Sequence, residues 1–181
     1  MIKVTLPECS KGPWKIEKFT VDRMDFHALV HGREVPLGET YTRLMKNGSL
    51  VMSDTPAEMN DHWEAVFRAK GSCLLMGLGL GMVLKTILVK ERVTDVTVVE
   101  ISQNLIDLVG PHYPDPRVTM ICADALQWTP PKGKRYQMVW HDIWSGVSTD
   151  DLVTMKALRQ KYVRRAEWQG CWGLNLLRRW R

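Results

Sequence analysis

No two of the four cysteines, Cys9, Cys73, Cys122 and Cys171, lie close enough in the chain to form a CxxC pair. That spacing argues against a zinc site, and still more against a disulfide framework. No metal is expected, and the thiols read as reduced cysteines of a cytoplasmic protein. No repeat of fixed period runs through the 181 residues, which excludes a solenoid. The opening MIKVTLPECSKG lacks the apolar core of a signal peptide. The longest apolar run, residues 72–89, is broken by glycines and by Lys85 and would span a bilayer poorly. No membrane partner is expected.

The chain is 45% hydrophobic, enough for one well-buried domain with a small appendage. Its net charge of +5 is unevenly placed. Acids and bases balance up to residue 148. The excess sits in the last segment, on Lys156, Arg159, Lys161, Arg164, Arg165, Arg178, Arg179 and Arg181. Such a cluster can meet nucleic acid, or it can be a solvated helix face with a frayed tail.

Two regions differ in pattern. Residues 1–54 read as short strands and hairpins. WKIEKFTV (14–21) alternates apolar and polar side chains, and DFHALVHG (25–32) looks similar. YTRLMKNGSLVMS (41–53) carries Asn47-Gly48, a two-residue hairpin signal. A helix is expected next, with Thr55 as N-cap, Pro56 at its first position and Glu58 completing a capping box. Trp63, Val66 and Phe67 share one face of it, and Gly71 would end it.

From residue 72 strands and helices alternate. CLLMG, DVTVVE (95–100), RVTMICAD (117–124) and YQMVWHD (136–142) read as strands buried on both faces. Helices are expected after the first, after the second at SQNLIDLVG, and from Ser148 or Thr149 onward, with GCWGLNLL as a fifth strand. Right-handed crossovers then give an α/β fold, a Rossmann-like, doubly wound and mainly parallel sheet over residues 55–181.

In such a sheet ligands bind beyond the carboxyl ends of the strands. LLMGLGLGMVL puts Gly77, Gly79 and Gly81 where the first strand turns into its helix. Bare backbone there admits a nucleotide, or merely permits close helix–strand packing. Met82 stands where the dinucleotide pattern GxGxxG needs glycine, which speaks against a nicotinamide cofactor. Glu100 closes the second strand, where a carboxylate can accept two ribose hydroxyls. Asp124 closes the third and could accept from an exocyclic amine, although an acid at a strand end also serves as a turn former.

With MGLGLG, VVE and ADAL in this order, the stretch from Leu74 to Trp144 resembles the core of class I S-adenosylmethionine-dependent methyltransferases. Within that superfamily it is most similar to the spermidine synthase-like branch, and KNGSLVMSDTPAEMNDHWEAV carries that likeness. Glu58 and His62 match the glutamate and histidine of the branch's D-E-x-x-Y-H-E segment, whereas Ala57, Asp61 and Trp63 depart from it. The resemblance implies S-adenosylmethionine lying on Gly77, Gly79 and Gly81. Glu100 with Ile101 would hold the ribose, and Asp124, Ala125 and Leu126 would frame the adenine.

The acceptor would then meet HDIWSG. Asp142 at the end of the fourth strand faces the cleft as base or orienting group, or else caps the next helix. His141 points to the other side and reads as a packed histidine. Trp144 could stack on an acceptor or belong to a lid. Glu58 and His62 would close the site from the preceding helix. Two family features are absent. An Asn/Asp-Pro-Pro-aromatic segment, expected for methylation of base amines, is replaced by Asp-Ile-Trp. The polyamine synthases' second acid is replaced by Ser145 and Gly146, and their glycine-loop aspartate by Leu80. A methyltransferase acting on a small molecule is therefore expected first. Aminopropyl transfer and a non-catalytic nucleotide-binding fold are the alternatives. A complete class I sheet has seven strands, so a bare edge is expected, covered by the N-terminal strands or by a second copy in a homo-oligomer.

Overall fold

The computed structural model describes residues 2–23, 33 and 35–179; the expected strand at 25–32 lies outside them. Two sheets organise the described residues. The first is antiparallel, in the order β1 (Cys9–Lys11), β2 (Trp14–Thr20), β3 (Thr40–Lys46), β4 (Ser49–Ser53). Asn47 and Gly48 form its last turn with φ of 50° and 79°, the left-handed pair a tight hairpin demands.

The second sheet has five parallel strands: β5 (Gly71–Met76), β6 (Val93–Glu100), β7 (Val118–Cys122), β8 (Tyr136–His141) and β9 (Ala166–Cys171). Their spatial order is β7-β6-β5-β8-β9. The chain winds outward from β5 to β6 and β7, then returns to β8 on the other side. The gap between the carboxyl ends of β5 and β8 is therefore the topological switch point.

Both faces of this sheet are covered, so its central strands are mainly apolar. Cys73 and Leu75 join one core with Ala65 and Ala69, Met82 and Ile87, and Leu105 and Val109. These come from α2 (Trp63–Arg68) and the residue after it, α3 (Met82–Leu88) and α4 (Gln103–Val109). Leu74, Met76 and Val139 point the other way, against Leu158 and Tyr162 of α5 (Leu152–Tyr162). The N-terminal sheet docks on α4. Trp14 Nε1 donates to Ser102 Oγ at 2.7 Å, and that oxygen also caps α4 at Leu105 N. Lys11 pairs with Asp107 at 2.6 Å.

Several expectations need correction. The helix after Thr55 is two helices, α1 (Pro56–Asp61) and α2, broken at His62. The capping box does not form: Thr55 makes no side-chain cap, and Glu58 binds Ser53 instead, at N and Oγ, both 2.8 Å. Gly71 opens β5 rather than ending a helix. Trp63 and Phe67 are more than half exposed, because the small Ala65 and Ala69 let α2 approach the sheet closely. The fifth strand starts at Ala166 and ends at Cys171, so only the first two residues of GCWGLNLL are strand and its last four open α6 (Leu174–Arg179). Among the described residues no strand pairs with the outer edge of β9, and the N-terminal strands do not cover it. None of the described helices is long and apolar enough to cross a membrane.

Candidate functional site

The switch point is built from main chain. Asp142 N donates to Met76 O and Gly77 N to Val99 O, both at 2.8 Å, so three strand ends are tied together where the glycine turn begins. Gly77 has φ +96°, and a Cβ there would collide with the Asp142 carbonyl. No side chain can shift to relieve that contact, so only glycine fits. Gly79, with φ +51°, faces the thioether of Met52, and Gly81 faces the ring of Tyr113. Met52 Sδ also accepts Leu80 N at 3.2 Å. The glycines therefore serve close packing of the turn against β4 and the loop at Tyr113 as well as leaving its backbone bare.

Glu100 is buried and grips this turn. Its Oε2 accepts Leu78 N at 3.0 Å and its Oε1 accepts Ser102 N at 2.9 Å. Ala123 N bonds Glu100 O at 2.9 Å, which brings the end of β7 alongside. Asp124 Oδ1 accepts Leu126 N at 2.8 Å, forming the turn that follows. Ala125 is buried, Leu126 is 39% exposed and Ile101 67% exposed, so a half-apolar surface lies open beside the two acids.

Across the turn, Asp142 is brought to His62, whose Nδ1 stands 3.8 Å from Asp142 Oδ2. Burial, then the charges of Glu58, Asp61 and Glu100, push the Asp142 carboxyl up to about 7. Its side chain is still 23% exposed, so its proton can exchange with solvent. Burial holds His62 down to about 4, a neutral imidazole at physiological pH. Glu58 and Asp61 are also raised, chiefly by burial. Arg33 offsets part of this through a bidentate pair with Asp61 at 3.0 Å. Among the described residues no group of three or more His, Cys, Asp or Glu side chains suits a metal ion.

His141 is fully buried on the opposite face, with Nε2 3.2 Å from Gln169 Oε1 and Nδ1 3.1 Å from Met76 Sδ. Trp144 Nε1 donates to Thr154 Oγ1 at 3.2 Å, which fastens the loop after β8 to α5. Two of the basic C-terminal residues have structural partners: Lys161 binds Leu126 O at 2.8 Å and Arg165 binds Pro131 O at 3.2 Å. Sequence reasoning missed Met52, Arg33, Asp61 and Trp140 as parts of this neighbourhood. Asp61 and Arg33 become legible only as a pair, 28 positions apart.

The solved spermidine synthase of Thermotoga maritima superposes on 84% of this chain and 54% of its own, with a TM-score of 0.52 and 11% identity. The chain has the class I S-adenosylmethionine-dependent methyltransferase fold. The N-methyltransferase NodS of Bradyrhizobium japonicum, solved with S-adenosylhomocysteine, is also similar, at 13% identity and TM-score 0.48 over 61% of this chain and 57% of its own. The chain thus spans about half the length of these solved structures. No protein-family model matches the sequence, and no curated protein matches it. In this fold the glycine turn and Asp142 fall at the switch point, and Glu100 reaches the turn from the end of β6 on its other side.

Proposed function

We propose that the chain is an S-adenosylmethionine-dependent methyltransferase that acts on a small molecule. The observation that carries this reading is the placement of Glu100 and Asp142 on either side of the turn after β5. Each Glu100 oxygen spends one lone pair on a backbone N–H and keeps another, which suits the two hydroxyls of a ribose. Among the described residues Leu80 N–H has only a thioether as partner, a weak acceptor that a carboxylate would readily replace. The residues present therefore fit an adenosyl cofactor. Gly77, Gly79 and Gly81 would carry it on their backbone. Glu100 with Ile101 would take the ribose, and Asp124, Ala125 and Leu126 would flank the adenine. The bound cofactor supplies an electrophilic methyl group.

The chain's own part is alignment and proton removal. Asp142 loses its proton near neutrality, so it can accept one from a protonated acceptor nucleophile. Trp140, which shares a small cavity with Asp142, also lines a larger one of about 380 Å³ together with Asp61, Glu64 and Trp63. Carboxylates and aromatic faces together suit a small cationic acceptor better than a macromolecule. Glu58 and His62 close this side of the site.

A second reading, aminopropyl transfer, is favoured by the extent of the likeness to spermidine synthase, which at 84% of the chain reaches beyond the parallel sheet. Against it stand Ser145, Gly146 and Leu80, where that branch carries acids. Calorimetric titration with S-adenosylmethionine, S-adenosylhomocysteine and the decarboxylated cofactor separates the two. Methyl transfer requires heats from the first two and radiolabel moved from S-adenosylmethionine to an amine panel. Absence of heat from all three would leave a non-catalytic fold.

A further inference from the structure

Two buried polar atoms beside Asp142, His62 Nδ1 and Trp140 Nε1, have no hydrogen-bond partner among the described residues. Their side chains are almost completely buried, at 2% and 5% exposure. Both residues and Asp142 border one cavity of about 10 Å³, closed elsewhere by apolar groups such as Leu75, Met82 and Leu84. A void of that size holds one water at most, and an apolar one would stay dry. This one is bordered by Trp140, His62 and Asp142, which bring an indole, an imidazole and a carboxyl to it. The 3.8 Å between His62 Nδ1 and Asp142 Oδ2 is too long for a direct hydrogen bond and short enough for both atoms to share one water.

The indole cannot turn away. It stacks on Trp168 at 6.2 Å and 9°, and meets His62 edge-on at 5.9 Å and 79°. Its Cε3–Cζ3 edge lies over Gly170 of β9, where a Cβ would touch it. The Nε1 edge, on the other side of the ring, therefore faces β5, whose Leu75 lines the cavity and pairs in register with Trp140.

We propose that Trp140 Nε1 and His62 Nδ1 hold a single water molecule on the carboxylate of Asp142. Trp140 N–H donates to the water oxygen. The water gives one hydrogen to His62 Nδ1 and the other to Asp142. When Asp142 takes up a proton from solvent at its exposed edge, its O–H donates to the same oxygen and the water turns its second hydrogen away from the carboxyl, so the water and His62 stay neutral. The arrangement supplies a donor to a carboxyl that otherwise faces acids: Glu58 and Asp61 from α1, the latter paired with Arg33, and Glu100 from β6. His62 and Trp140 are positioning residues. Their value to catalysis rests on the methyltransferase reading, but the solvent site does not.

Two measurements on the full chain, neither using cofactor nor turnover, test this. Water-selective NMR on the wild type should show a long-lived bound water at the Trp140 indole proton, assigned by its loss in Trp140→Phe. Carboxyl carbon titration should show the Asp142 midpoint moving up in Trp140→Phe by about half a pH unit or more, because the ionised form loses its polarised donor. Phenylalanine keeps the stack on Trp168, so a merely structural tryptophan would leave that midpoint unchanged. An indole proton without a bound water overturns the proposal, and so does an unmoved midpoint. Failure of methyl transfer alone touches neither result.

Discussion

Glu100 Oε2 accepts the main-chain N–H of Leu78 at 3.0 Å, so the acid ending one strand fastens the glycine turn that ends its neighbour. Its other oxygen holds Ser102 N at the start of α4. Glu100→Ala strips a charged partner from two N–H groups, a loss of about 1.5–3 kcal/mol for each. Urea unfolding should show a destabilisation of about 3 kcal/mol or more. Glu100→Gln should fold better yet weaken S-adenosylhomocysteine binding about tenfold by calorimetry, since the amide nitrogen cannot accept a hydroxyl. Equal affinities would mean that the ribose lies elsewhere.

Asp142 gives the site its pH dependence. Its carboxyl is raised from the ordinary value to about 7. Between about pH 4 and 7 the folded state therefore binds more protons than the unfolded one, and stability falls as pH rises through that window. Asp142→Asn should remove this slope and be the more stable protein at pH 8. Glu58 and Asp61 are raised too and will leave a residual slope at the acid end. Turnover should rise with pH through about 7 in the wild type, as the base ionises, and be lost in the asparagine variant.

The three glycines should not be equivalent. A Cβ at Gly77 meets backbone, whereas one at Gly79 meets the flexible end of Met52. Gly77→Ala should abolish folding or cost well over about 3 kcal/mol. Gly79→Ala should cost less, and Met52→Ala should recover part of that loss. The remainder reflects φ of +51°, a strain of about 1–2 kcal/mol for a residue with a Cβ. A double-mutant cycle by chemical denaturation reads the coupling; strict additivity would show that Met52 does not fill the Gly79 site.

Ser102 joins the two sheets. It caps α4 and accepts the Trp14 indole at 2.7 Å. Ser102→Ala should cost about 1–2 kcal/mol. The loss should be smaller in a Trp14→Phe background, and hydrogen exchange should rise together in α4 and in β2.

Much of the parallel sheet was legible because its strands are buried on both faces. Leu74 and Leu75 point in opposite directions and are both apolar, a pattern that short continuous runs display without any knowledge of their partners. The helix at SQNLIDLVG was legible too, with Ser102 standing as its cap rather than as its first helical residue. The region at residues 55–71 was misread because its signals compete. Thr55, Pro56 and Glu58 favour a capped helix, yet the Ser53 hydroxyl and amide offer Glu58 better partners in the folded chain. Likewise GCWGLNLL is as apolar as a strand, and its turn at Gly173, with φ +76°, starts a helix instead.

The sequence alone determined the alternation of strand and helix, the place of the glycine turn and the acids at the strand ends, because each follows from spacing along the chain and the nearest few residues. Tertiary structure decided which groups surround Asp142. His62 and Asp61 reach it from one other segment, Arg33 joins through Asp61 from a second, Met52 comes to the turn from a third, and only Trp140 belongs to its own strand. Burial and neighbouring charge, which set whether that carboxyl holds its proton, arise only when those segments pack together.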